Sequence, residues 1–191
     1  KFSFTTILCL TLITGGAFVI GSDKLTVDKM GYIIADTVVL KEDGLIRYCY
    51  TAIDVYTRFA FSYCFKKLTS ENMIIFYKMF KRVFPYKITK WQNDNGHENL
   101  GLFKKVLAKD NVKQVFSLPR CPRINAYIER FNRVLREEFL DIYGILIRNK
   151  EEFDNKLTNL LIYYNFKRPH FSLNLKSPLQ FIAWNYKMSQ M

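Results

Sequence analysis

Three carboxylates in this chain sit where an acidic side chain needs a reason. Asp36 interrupts the apolar run Tyr32 to Leu40. Asp94 follows the alternating segment 87–91 and precedes Asn95-Gly96, a pair that readily turns. Glu129 belongs to "RINAYIERFNRVLREEF", residues 123–139, where Ile128, Phe131, Leu135 and Phe139 recur at helical spacing. It borders that stripe, with Asn132 and Arg133 three and four residues on and so on the same side. Each has an ordinary explanation: a solvent-facing strand residue, a turn residue, an ion-paired helix residue. Together they have a chemical one. Oxygen-only ligands at high charge density select a hard cation, Mg²⁺ or Mn²⁺. Two such ions can activate a nucleophile and stabilise the leaving oxygen in phosphodiester chemistry. If the first and fourth strands are neighbours, Asp36 and Asp94 face one edge. Asp54 is assigned to the turn before Arg58, and His97 to hydrogen bonding in the turn after Asp94.

The background suits that chemistry. The 191-residue chain is half apolar and carries a net charge of +12. A disordered chain is excluded, and a polyanionic partner is favoured, nucleic acid first and a membrane surface second. Cys9, Cys49, Cys64 and Cys121 are scattered, and His97 and His170 are the only histidines. A structural zinc site is not expected, and the cysteines read as buried free thiols in a reducing compartment. Residues 1–22 contrast with the rest: Phe2 to Ile20 carries no charge. That segment reads as a signal peptide, a membrane span or a truncated start to a soluble domain.

The positioning elements follow from residue 31. Tyr32 to Leu40, Tyr48 to Val55 and Phe59 to Phe65 read as strands, joined by turns at Glu42-Asp43-Gly44 and Tyr56-Thr57-Arg58. A helix is expected from Ser70 to before Pro85, then a strand from Ile88 to Trp91. A helix over 100–107, a strand over 112–116, a long helix over 125–140 and another over 151–164 complete the pattern. Three antiparallel strands followed by alternating strands and helices predict an α/β fold, a mixed five-stranded sheet flanked by helices on both faces.

These residues resemble the catalytic core of the DDE integrases and transposases, from about Gly31 to Ile182. Asp36-Thr37-Val38 looks like the first-strand aspartate motif, and residues 52–59 like the second-strand segment. Asp94-Asn95-Gly96 with Glu98 is similar to the D-N-G-x-E motif, and residues 128–132 to the E-R-F-N helix. Asp94 and Glu129 are separated by 34 residues, close to the family's usual spacing. Residues 164–170 with Ser177-Pro178 resemble the closing signature of bacterial insertion elements. Asn93 and Asn99 depart from the pattern, which often has Thr before the aspartate and an aromatic after the motif.

The resemblance implies a ribonuclease H-like fold and DNA integration or transposition by metal-dependent polynucleotidyl transfer. Asp36, Asp94 and Glu129 would be catalytic and would hold two Mg²⁺ or Mn²⁺ ions. Arg120, Arg123, Arg130, Arg133, Lys167 and Arg168 are the expected DNA contacts. The expected setting is a homo-oligomer on DNA in a bacterial cytoplasm; a membrane partner is not expected, but the apolar segment 1–22 leaves a membrane-anchored or exported form open. A core over 31–182 and a tail over 183–191 are expected. No end-recognition domain is visible ahead of the core, which suggests a fragment, a decayed copy or one product of a split frame. The alternatives are a ribonuclease H-like nuclease that does not join DNA, and an inactive DNA-binding remnant.

Overall fold

The computed structural model describes residues 30–117 and 122–188. Segment 1–22 and Arg120 therefore lie outside the described residues, as do Cys9 and Cys121. Three strands come first: β1 (Tyr32–Glu42), β2 (Leu45–Asp54) and β3 (Ala60–Phe65). The β1–β2 turn is made by Asp43 and Gly44, both at positive φ (51° and 71°), the geometry of a tight hairpin. Next come α1 (Ser70–Val83), β4 (Lys90–Asn93), α2 (Leu102–Lys109) and β5 (Lys113–Phe116). Three longer helices follow among the described residues: α3 (Pro122–Leu135), α4 (Lys150–Phe166) and α5 (Pro178–Met188). The sheet order is β3-β2-β1-β4-β5, as a mixed five-stranded sheet requires. β1 is antiparallel to β2 and parallel to β4, and β5 is parallel to β4.

Two successive residues of β4 show how the layers form. The Trp91 ring packs against Phe76, Tyr77 and Phe80 of α1 and Phe103 of α2. Gln92, pointing the opposite way in a pleated strand, donates to Asn125 of α3 at 3.1 Å. Thus α1 and α2 cover one face and α3 the other. α1 starts where the Thr69 hydroxyl caps Asn72 N–H at 3.2 Å, and stops before Pro85.

Three details differ from the sequence expectation. The long helix changes at Arg136–Leu140 into a π-helical turn, which lets consecutive Phe139 and Leu140 both be buried. α5 runs through the boundary expected at 182. Its start was legible: Ser177 and Gln180 form a reciprocal capping box (2.9 and 3.3 Å) around Pro178. Finally, Cys49 and Cys64 are not free thiols. They face each other across β2 and β3, Cα atoms 3.9 Å apart, and form a disulfide. Scattered positions in sequence concealed a direct cross-strand pair.

Candidate active site

The parallel pairing of β1 and β4 sets Ile34 opposite Gln92. Two residues on, Asp36 and Asp94 come level at the edge where β4 ends. Both residues are solvent-exposed. Asp36 Oδ1 accepts the Thr37 N–H at 2.8 Å, and Oδ2 accepts the Asn132 amide of α3 at 2.7 Å. Partial burial of the Asp36 carboxyl pushes its pKa up, and the charge of Asp94 pushes the same way. The Thr37 and Asn132 hydrogen bonds and Arg136 oppose that rise. Among the described residues, hydrogen bonds to the Asp94 carboxylate fall on Oδ1, from Gly96 N–H at 3.0 Å and Asn99 Nδ2 at 2.8 Å.

Glu129 stands on α3 between Asn125, which holds Gln92, and Asn132, which holds Asp36. Asn125 and Asn132 are seven residues apart, two helical turns, so this face of α3 looks onto the sheet edge. The Glu129 side chain is exposed and lines a cleft of about 500 Å³ with Arg130, Arg133, Glu137 and Arg168. The structure thus brings Asp36 and Asp94 together and puts Glu129 on the α3 face between Asn125 and Asn132, in a cleft whose lining includes neither aspartate. Among the described residues, no three His, Cys, Asp or Glu side chains are gathered closely enough to hold a metal ion.

Asn99 was read as a departure from a pattern, yet its amide holds Asp94 Oδ1 and donates to Glu98 Oε1 at 3.2 Å. Glu98 itself is buried, against the usual habit of an acidic turn residue. A run of short polar residues after Asp94 was the only signal for this arrangement. Asp54 lies apart: Oδ2 accepts Thr57 N–H and Oγ1, both at 2.7 Å, and Oδ1 accepts Gly31 N–H at 2.9 Å. It shapes the turn before Arg58, as expected. His97 is exposed, 3.8 Å from Glu98.

Residues 110–178 match the family model "Integrase core domain". A curated relative, "Putative integrase ORF3" of Spiroplasma virus SpV1-C74, is 31% identical over 152 residues, covering 71% of this chain. The match spans only 41% of that relative's length. The catalytic core of HTLV-2 integrase, solved in complex with magnesium, superposes with a TM-score of 0.65 at 18% identity. That alignment covers 79% of this chain and 95% of the other. The BIV integrase catalytic core gives a TM-score of 0.65 at 14% identity, covering 84% and 99% respectively. Residues 110–178 match an integrase core domain in sequence, and the fold is that of integrase catalytic cores.

The basic residues expected to meet DNA divide into two groups. Arg130, Arg133 and Lys167 are exposed. Arg168, by contrast, is ion-paired with Glu138 of the π-helical turn. The side chain of Arg123 is not among those described. His170 is half-buried with its ring 4.8 Å from that of Tyr164, and its Nε2 has no hydrogen-bond partner among the described residues. Burial, then the charge of Arg168, hold its pKa down at about 4, so it is neutral at physiological pH. Beyond it, Phe171 is 87% exposed, and Lys176 lies 5.0 Å over the Trp184 ring.

Proposed function

We propose that this integrase core joins DNA strands by metal-dependent polynucleotidyl transfer, working as a homo-oligomer on DNA. The observation that carries the reading is the meeting of Asp36 and Asp94 at one sheet edge beneath the α3 face that bears Asn132 and Glu129. The donor set fits a hard cation: it is all oxygen, Asp94 Oδ2 has no hydrogen-bond partner among the described residues, and burial, aided by the charge of Asp94, raises Asp36. Asp36 and Asp94 would hold Mg²⁺ or Mn²⁺, with Glu129 turning in from α3 as the third ligand. Two ions bound there would activate water, then a 3′-hydroxyl, and stabilise the leaving oxygen. Asn99 and Asn132 orient the two aspartates. Exposed Arg130, Arg133 and Lys167 bind the phosphate backbone and keep the DNA against the site.

A strand-transfer assay on pre-cleaved element ends with Mg²⁺ tests the proposal. Asp36→Asn, Asp94→Asn and Glu129→Gln should each lower joining at least a hundredfold while DNA binding persists. Joining at the wild-type rate by Asp94→Asn or Glu129→Gln refutes the assignment. Hydrolysis without joining would identify a nuclease. The other rival is a DNA-binding remnant. DNA binding without either activity in the wild-type chain would establish it.

A further inference from the structure

A second cleft, of about 480 Å³, opens on the α3 face of the sheet beside the N-terminal ends of β1 and β4. Its walls include Tyr32, Tyr56, Tyr127 and Phe181, and its cations are Arg58 and Lys90, with no carboxylate in the lining. Lys90 pairs with Tyr32 across β1 and β4, four residues before the level of Asp36. Along a strand that is ~13 Å from the aspartates. The cleft is therefore distinct from the carboxylate site but within a few nucleotides of it.

Arg58 is the residue that makes the cleft unusual. It adopts φ = +62°, a conformation that favours glycine, yet carries a long charged side chain. The guanidinium lies 3.8 Å over the Tyr127 ring, and Nε donates to Ser172 Oγ at 3.3 Å. Nη1 has no hydrogen-bond partner among the described residues. Asp54, fully occupied with Thr57 and Gly31, fixes the turn but does not pair with Arg58. A residue at positive φ, a cation with no counter-ion among the described residues and flat aromatic walls together suit one chemistry. A phosphate satisfies Arg58 and Lys90, and a planar base lies against tyrosine rings.

We infer that the Arg58–Tyr127 cleft is a subsite for one nucleotide of an unpaired DNA strand. This rests on the reading that DNA is the ligand, but not on catalysis. The test uses the full chain and a ten-nucleotide single strand carrying 5-iododeoxyuridine, irradiated without metal, with crosslinks mapped by mass spectrometry. Crosslinks should fall on Tyr56, Tyr127 or Tyr32 and drop at least tenfold in Arg58→Gly. Glycine suits the backbone there, so this variant should fold. Loss of one phosphate contact should also reduce the salt slope of single-strand binding by about 0.7. If Arg58→Gly proves unstable, Lys90→Gln and Tyr127→Leu carry the same test.

Crosslinks confined to other residues, or undiminished in the variants, overturn the proposal. So does equal binding of an abasic strand, or full displacement by millimolar inorganic phosphate, since either marks a simple anion site. Crosslinking in the cleft with no strand joining would count against the proposed catalysis and leave the subsite standing. Joining without crosslinking in the cleft would do the reverse.

Discussion

Gly96 illustrates how much of the site depends on single atoms. Its φ is ordinary, but a Cβ there would lie 2.5 Å from Glu98 Oε1, and Glu98 is buried with little room to move. Gly96→Ala should therefore destabilise the fold by about 1–3 kcal/mol and displace the Asp94 turn. Gly44 is the comparison: its surroundings are open and only its positive φ is costly, so Gly44→Ala should lose about 1 kcal/mol. Urea unfolding of both variants checks the order, and equal losses would mean the Glu98 contact is unimportant. Asn99 gives a second prediction. Asn99→Ala removes the donor shared by Asp94 and buried Glu98, and should cost about 1–3 kcal/mol. Retention of full stability would show that Glu98 finds another donor.

A turn and a bridge hold the elements in register. Asp54 accepts three hydrogen bonds that tie the end of β2 to Thr57 and to Gly31 before β1. An amide at that position can accept on only one atom, so Asp54→Asn should lower the melting temperature while sparing activity per folded molecule. A normal melting curve with lost joining would instead place Asp54 in the chemistry. At the other end, His170 bridges to Lys176 and packs on Tyr164 of α4. Its folded pKa of about 4 lies below its ordinary 6.5, so the unfolded chain takes up the proton first. Stability should thus fall as pH drops from about 6.5 towards 4, by on the order of 2 kcal/mol. A His170→Gln variant should lack that component of the acid sensitivity. Parallel pH profiles for the two proteins would remove His170 as its source.

For the whole molecule, the +12 charge is the dominant fact, and the structure decides which cations are open to a polyanion such as the proposed DNA. Lys167 is exposed, whereas Arg168 already faces Glu138. Lys167→Ala should lower the salt slope of duplex binding by about 0.9, and Arg168→Ala should change it less while destabilising the α3–α4 junction. Titrations at several salt concentrations check both, and a larger slope change for Arg168 would mean the ion pair opens on DNA.

The fold was legible because its strands alternate, its helices carry apolar stripes, and its turns use Asp-Gly and Asn-Gly. Those signals are local, and they sufficed for the five strands and four of the helices. Motif spacing also singled out Asp36, Asp94 and Glu129 as candidates. What local pattern could not determine was contact between distant segments. Only the tertiary structure paired Cys49 with Cys64, buried Glu98 over Gly96, neutralised Arg168 on Glu138 and set Asn132 on Asp36. It also set Arg58 over Tyr127. Each of these depends on strand register and helix placement, which arise from burying the whole core at once.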